Sequence, residues 1–160
     1  MSAKTSQTLR AHMTVHDAGE AIAFYARAFD ATELFRLSEP SGKVGHAEIR
    51  IGDSVLMLND EYPDFGARSP AATGGSPVAF HIQVADADKA VDRAVKAGAT
   101  LVRPVQDQFY GDRSGMVACP FGYRWFLAAA KEVAVEGPRM RVHTIMAKRA
   151  TVLWPALPVH

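Results

Sequence analysis

The sequence predicts an α+β fold built from two tandem βαβββ modules. The first observation is an internal repeat, in which residues 15–34 (VHDAGEAIAFYARAFDATEL) resemble residues 84–102 (VADADKAVDRAVKAGATLV) at an offset of 84 − 15 = 69 positions. The second observation is that each copy joins an alternating strand pattern to a helical pattern and is followed by three further strand patterns. Two copies of so long a unit indicate duplication of a supersecondary module.

Each module begins with a strand in which apolar and polar residues alternate, as is typical of a half-buried strand. The apolar positions are Ala11, Met13 and Val15 in the first module and Phe80, Ile82 and Val84 in the second. A helix is predicted to follow each strand. Asp17 with Glu20 forms a D-x-x-E capping pattern, Asp86 and Asp88 have the same role in the second helix, and Gly98 ends that helix.

Three strands are predicted after each helix. They span residues 32–37, 44–51 and 55–58 in the first module and residues 100–105, 115–119 and 123–128 in the second. The modules then cover residues 8–60 and 78–130, with a linker rich in Pro, Gly, Ala and Ser over residues 60–77. Residues 1–130 form one domain on this interpretation, and residues 131–160 form a C-terminal extension that is either a helix starting at Pro138 or disordered.

Composition excludes several classes of partner. The chain has 160 residues with 18 Lys plus Arg against 17 Asp plus Glu, a net charge of +1, and no basic cluster, so we expect neither nucleic acid nor a membrane surface as a partner. The N-terminal stretch lacks the apolar core of a signal peptide, and a single cysteine, Cys119, cannot form an internal disulfide. We therefore expect a cytoplasmic protein with a partly buried, unreactive cysteine and a small-molecule ligand.

Four segments occur in a characteristic order: AIAFYARAFDATE, HAEIRIGDSVLML, DQFYGDRSG and PFGYRW. Together with the tandem βαβββ pattern, this order resembles the vicinal oxygen chelate superfamily of glyoxalase I, extradiol dioxygenases and bleomycin-resistance proteins, and most of all its PhnB-like branch. The resemblance covers roughly residues 8–130. It implies a glyoxalase-like fold, in which the strands form an open curled sheet around a concave cleft, and a homodimer.

Metal-dependent members of that superfamily take four ligands from the first and fourth strands of each module. By position, the resemblance assigns these places to Arg10, Met57, Ala79 and Phe126 in this chain. A guanidinium, a thioether and two hydrocarbons cannot replace the imidazole, thiolate or carboxylate donors that zinc or iron requires. We therefore expect no metal at the inherited site and no cofactor.

Strand alternation predicts which polar residues face the cleft instead. His12 and His81 share one position that duplication made twice, and a hairpin closed at Gly52-Asp53 pairs Glu48 with Met57, so that His46 and Glu48 join the same face. These side chains are either hydrogen-bonded polar groups of a moist cavity or ligands of a metal site shifted by two residues, about 7 Å along the strands.

The segment DQFYGDRSG, at the rim of the cleft in the family resemblance, adds further candidates. Gln108 and Asp112 can hydrogen-bond a ligand, Tyr110 can stack on it, and Arg113 can pair with a carboxylate or phosphate. The alternative is that Asp112 and Arg113 only fix their own loop.

The function predicted from the sequence is metal-independent binding of a small molecule. The ligand-binding residues are expected to be His12, Met57, His81, Gln108, Tyr110, Asp112, Arg113 and Phe126. The alternative is a lyase, isomerase or dioxygenase that uses a shifted metal or acid–base residues, with Glu48 as base and His46 as acid. Trp154 is expected to pack on the domain or on a dimer mate.

Overall fold

The computed structural model describes residues 7–131, which form two four-stranded sheets and three α-helices. The first module contains β1 (His12–Thr14), α1 (Ala18–Phe29), β2 (Thr32–Ser38), β3 (Val44–Ile51) and β4 (Ser54–Asn59). The second contains β5 (Ala79–Gln83), α3 (Ala87–Ala97), β6 (Thr100–Asp107), β7 (Asp112–Ala118) and β8 (Arg124–Ala130). The predicted α+β fold of two tandem βαβββ modules is confirmed. The predicted helix from Pro138 and the packing of Trp154 lie outside the described residues.

Both sheets have the same topology, with strand orders β1-β4-β3-β2 and β5-β8-β7-β6. The first strand of each module runs parallel to the last, and the other neighbours are antiparallel. In the β3–β4 hairpin Ile51 lies opposite Ser54 and Glu48 opposite Met57, so the predicted register is confirmed.

Both predicted helix caps are present. The Asp17 carboxylate accepts a hydrogen bond from the backbone N–H of Glu20 at 3.0 Å, and Asp86 accepts one from Lys89 at 3.0 Å. Each bond satisfies a backbone donor that the first helical turn leaves unpaired. The helix α3 ends at Gly98, whose φ of 120° suits a residue without a Cβ.

The two modules share one hydrophobic core. Tyr25 and Phe29 of α1 pack against Trp125 of β8, with ring centroids 5.3 and 4.7 Å apart, and Arg93 of α3 donates a hydrogen bond to the carbonyl of Arg27 at 2.7 Å. The core takes inward-facing residues from both sheets, among them Met13, Ala47, Ile49, Leu58, Val117, Trp125 and Leu127. Because side chains alternate along a strand, the opposite face of each sheet points away from this core.

Cys119 lies in the same core and is 5% exposed, as predicted for a buried thiol. Its Sγ is 3.5 Å from the hydroxyl of Tyr25. Burial, and secondly the neighbouring Cys119, raises the pKa of Tyr25 well above its ordinary value. None of the helices within residues 7–131 has the length and apolar character that crossing a membrane requires.

The segment that connects the modules has hydrogen-bonded structure of its own. It contains a 3-10 turn (Pro63–Phe65) and the short helix α2 (Pro70–Thr73). Tyr62 and Ala67 exchange two backbone hydrogen bonds of 2.9 and 3.1 Å, which close the loop between them. Pro70 packs against Gly122 of the second module, so the connection is held at both ends.

Candidate functional site

The outward faces of the two sheets carry matching histidines. His12 of β1 lies opposite Met57 of β4, and His81 of β5 lies opposite Phe126 of β8. Since both pairs join the first and fourth strands of a module, the two histidines occupy equivalent positions in the repeat. In each sheet a histidine therefore lies beside one of the fourth-strand positions, Met57 or Phe126, that the family resemblance assigns to metal ligands.

The first sheet brings together four predicted site residues and one that sequence reasoning missed, Phe35. We call this group the His46 face: His12, Phe35, His46, Glu48 and Met57. The imidazoles of His12 and His46 are 5.7 Å apart between centroids in an edge-to-face arrangement. His46 Nε2 lies 3.4 Å from Glu48 Oε1, and the Phe35 ring lies 6.2 Å from the His46 ring. Both members of the His46–Glu48 pair keep about a quarter of their side-chain surface exposed (28% and 26%), so a ligand can reach them.

His81 belongs to the other sheet. Its exposed imidazole stacks on the Phe126 ring at 6.4 Å between centroids. The ring contact that the structure shows for His81 stays within the second sheet, just as those of His12 and His46 stay within the first. One chain therefore places the strand residues of the predicted site on two faces, a polar one with His46 and Glu48 and a more apolar one with Phe126.

Within residues 7–131 of one chain, the residues present do not fit the metal of the superfamily. Over residues 7–131, no group of three or more His, Cys, Asp and Glu side chains is placed so that it could hold a metal ion. His12, His46 and Glu48 are neighbours without forming such a group. Ala79, opposite Arg124 in the β5–β8 pair, has only a methyl side chain. This inherited ligand position therefore offers no metal donor. Within one chain, the arrangement of these side chains therefore does not support the shifted metal site.

Arg113 makes its contacts on the helix side of the second sheet. Its guanidinium grips Asp88 of α3 through Nε and Nη2, at 2.7 and 2.9 Å, and reaches Asp107 through Nη1 at 3.1 Å. The hydrogen bond from Arg113 lowers the pKa of the Asp88 carboxyl. These bonds favour the alternative in which Arg113 fixes its own loop to α3. Its assignment to a ligand stays a prediction.

The other residues of this loop show local contacts. The backbone N–H of Gln108 donates to the carbonyl of Asp112 at 2.7 Å, and the Gln108 side chain donates to the carbonyl of Gln106 at 3.4 Å. Tyr110 is 38% exposed and meets the Phe109 ring edge-to-face. The structure does not join these side chains to the His46 face, so their part in ligand binding also stays a prediction.

An open cavity of about 520 Å³ adjoins His12, and we call it the linker cavity. Its floor comes from His12, Thr14 and Asn59 on the strands, and its wall from Tyr62, Phe65 and Ala67 on the connection between the modules. Sequence reasoning missed Asn59, although its place two residues after Met57 puts it on the same face. The sequence carries no such signal for Tyr62 and Phe65, because an irregular connection lacks the strand or helix periodicity from which side-chain direction is predicted.

A second cavity, of about 300 Å³, lies on the helix side between α1 and α3. Phe29, Ile82 and Leu127 contribute to its mostly hydrocarbon lining. The guanidinium of Arg93 at its edge already donates to backbone carbonyls of α1. Because this cavity holds none of the predicted site residues, the His46 face and the linker cavity form the better candidate site.

Comparison with known proteins agrees with this fold. A sequence model described as the Glyoxalase/Bleomycin resistance protein/Dioxygenase superfamily matches residues 7–127. Uncharacterized protein Rv0887c of Mycobacterium tuberculosis is 46% identical over 130 residues, which are 79% of this chain and 76% of that protein. The X-ray structure of the Arabidopsis thaliana gene product At5g48480 has a TM-score of 0.62 and 30% identity, covering 76% of this chain and 98% of that one.

A further solved structure shows the same fold at lower identity. The Bacillus cereus PhnB protein, a putative 3-demethylubiquinone-9 3-methyltransferase by its description, has a TM-score of 0.61 and 17% identity. The match covers 78% of this chain and 100% of that one.

Proposed function

Because this chain belongs to the glyoxalase/bleomycin resistance protein/dioxygenase superfamily, we propose that it binds a small organic molecule on the His46 face without a metal. One observation carries the proposal. The positions that the family resemblance assigns to metal ligands hold Arg10, Met57, Ala79 and Phe126, while polar groups beside them remain open to solvent.

The chemistry of the face defines the kind of ligand. His12 and His46 can donate hydrogen bonds to a carbonyl or an anionic oxygen, and Glu48 can accept one or orient His46. Met57 and Phe35 supply apolar surface next to these groups. A ligand with a carbonyl or anionic group attached to an apolar body fits this combination, which is the usual composition of small-molecule sites.

We further propose a homodimer in which the His46 face of one chain meets the second-sheet face of its partner. All seven residues of β2 are exposed, including Phe35 at 51% and Leu37 at 60%, and Leu101 and Val102 of β6 are exposed to a similar degree. Apolar side chains on such faces favour an isologous two-fold contact. Beside His12 and His46, the contact would add a third histidine, the partner's His81, and the partner's Phe126 to each cleft.

Two finer assignments belong to the same proposal. The PhnB-like branch is supported by the order of the four motifs and by the likeness to the PhnB fold. A cytoplasmic location is supported by the single, buried and unpaired Cys119, since proteins of reducing compartments keep free thiols.

A second candidate function is acid–base catalysis, as in the lyases and isomerases of the superfamily. The observation that favours it is the 3.4 Å approach of His46 Nε2 to Glu48 Oε1. Glu48 as base can remove a proton from a bound substrate, and His46 as acid can donate a proton at a neighbouring atom. The His46–Glu48 pair would then convert the ligand that the face binds.

Binding is tested by NMR with a library of carbonyl- and carboxylate-bearing fragments, first without and then with EDTA. We expect fragments to shift the imidazole signals of His12 and His46 and the methyl signal of Met57. His46→Ala should weaken binding about tenfold, the usual cost of losing a charge-assisted hydrogen bond. His16→Ala is the matched control, because the ring contact shown for His16 is a stack on Phe121 of the second module.

Loss of fragment binding on addition of EDTA would overturn the metal-independent proposal, and so would a library without any fragment that shifts these signals. Chemical conversion of a bound fragment by the wild-type protein, abolished by Glu48→Gln, would establish the second candidate function.

A further inference from the structure

We propose that the linker cavity is a subsite for an uncharged aromatic ring of the ligand whose carbonyl or anionic group binds the His46 face. The inference rests on the proposed function and extends it to a class of ligand, an aryl compound with a short carbonyl-bearing side chain. His12 connects the two regions, since it lines the cavity and also contacts the His46 ring at 5.7 Å.

The wall of the cavity is fixed before any ligand arrives. Tyr62 donates its hydroxyl hydrogen to Glu39 at 2.9 Å, and the ammonium of Lys43 lies 3.9 Å from the centroid of the Tyr62 ring. Burial, and secondly the hydrogen bond to Glu39, raises the pKa of Tyr62, so the phenol stays a donor at neutral pH. A wall held in place by such contacts loses little conformational entropy when a ligand binds.

The lining favours a neutral ring. Apart from the titratable imidazole of His12, the residues that line the cavity carry no ionisable group that is charged at neutral pH. On the floor, Thr14 donates its hydroxyl hydrogen to the side-chain oxygen of Asn59 at 3.5 Å, while Phe65, 88% exposed, presents an aromatic ring from the wall. An exposed aromatic ring on a fixed loop is a stacking surface for a second ring. Among the lining residues a charged group would find no counter-ion, since the charges of Lys43 and Glu39 are already engaged by Tyr62.

Space is also kept open on both sides. Gly45 on the floor and Gly66 on the wall contribute no side chain, and a Cβ on Gly45 would come within 3.5 Å of the Tyr62 hydroxyl. The volume of about 520 Å³ lies in the range of cavities that hold drug-sized ligands. A substituted benzene ring is small enough to enter.

Three probes test the inference by NMR titration: 3-phenylpropanamide, which joins a ring to a neutral carbonyl, butanamide, which lacks the ring, and 3-(4-carboxyphenyl)propanamide, which places a charge on the ring. We expect 3-phenylpropanamide to bind best and to shift the backbone amides of Gly45 and Ala67. Butanamide should shift only the His46 face.

Two variants separate the subsite from the rest of the site. Ala67→Trp fills the cavity and should weaken 3-phenylpropanamide about tenfold or more while leaving butanamide unchanged. Ala71→Trp, at an exposed position of α2 in the same connection, is the matched control and should bind all probes as the wild type does. Phe65→Ala removes a side chain too exposed to support the fold and should weaken the aryl probe about threefold to tenfold.

If 3-phenylpropanamide binds both cavity variants as tightly as the wild type, but loses affinity in His46→Ala, the subsite is wrong and the proposed function stands. Equal or tighter binding of the carboxyphenyl probe would overturn the claim of an uncharged ring. Failure of every probe to bind the wild-type protein would overturn the subsite and count against the proposed function as well.

Discussion

Gly122→Ala is expected to destabilise the protein because the connection between the modules packs against this glycine. A Cβ at this position would lie 2.5 Å from the Cβ and 3.2 Å from the Cγ of Pro70. The backbone of Gly122 also has a φ of +87°, which side-chain-bearing residues rarely adopt. Pro70 follows the wall of the linker cavity, so this contact anchors the wall to the second module.

The magnitude follows from two separate costs. The left-handed backbone costs a residue with a Cβ about 1–2 kcal/mol, and a forced contact in a packed region costs about 1–3 kcal/mol more. We therefore expect Gly122→Ala to lower the free energy of unfolding by about 2–5 kcal/mol. Gly74→Ala is the matched control: its φ is +84° and no atom lies within 4 Å of its Cβ position, so it should cost only the backbone term.

Urea unfolding followed by tryptophan fluorescence measures both values. Pro70→Gly removes the Cβ and Cγ that the new methyl group meets, so the double variant should recover the contact cost in a double-mutant cycle. Equal losses for Gly122→Ala and Gly74→Ala, or a cycle without coupling, would show that Pro70 does not pack against this turn and that the cavity wall is not fixed there.

Two further predictions concern titratable groups. Burial raises the pKa of Tyr25, so its contribution to stability is fully present below the ordinary pKa near 10. As the pH rises toward the folded pKa, this contribution is lost by about 1.4 kcal/mol per pH unit. In urea unfolding between pH 9 and 11.5, the free energy of unfolding should fall less steeply with pH for Tyr25→Phe than for the wild type, and equal slopes would contradict this. Because Arg113 lowers the pKa of Asp88, that carboxylate stabilises the fold above its ordinary pKa and loses this effect as the pH falls through the lower folded value. Arg113→Gln should raise the Asp88 pKa in a carboxyl NMR titration without weakening fragment binding, and a loss of binding would return Arg113 to the ligand site.

Local sequence signals predicted the fold because they act within a few residues. Asp17 and Asp86 precede the helices as caps, and the tight turn at Gly52-Asp53 determines the pairing of Glu48 with Met57. Alternation along β1, β3 and β5 then placed His12, His46 and His81 on the faces opposite the core. The strand ends differ by one to three residues, as at β7, which begins at Asp112 instead of residue 115.

The rest of the site depends on contacts between distant segments, which a sequence pattern does not encode. The sequence predicts Arg113 as a residue of the cleft rim. In the structure its guanidinium donates to Asp88, 25 positions away in the chain. The cavity wall likewise depends on Tyr62 bonding to Glu39 across 23 positions and on Pro70 meeting Gly122. Composition alone predicted only a linker over residues 60–77.

Native mass spectrometry of protein purified without chelators and incubated with 3-phenylpropanamide tests the central claim of metal-independent binding most directly. A single spectrum reports the number of chains, any bound metal and any organic adduct. We predict a dimer without stoichiometric metal that takes up the probe, with less adduct on His46→Ala than on His16→Ala. One tightly bound transition metal per chain, with no probe adduct once that metal is removed, would contradict the claim.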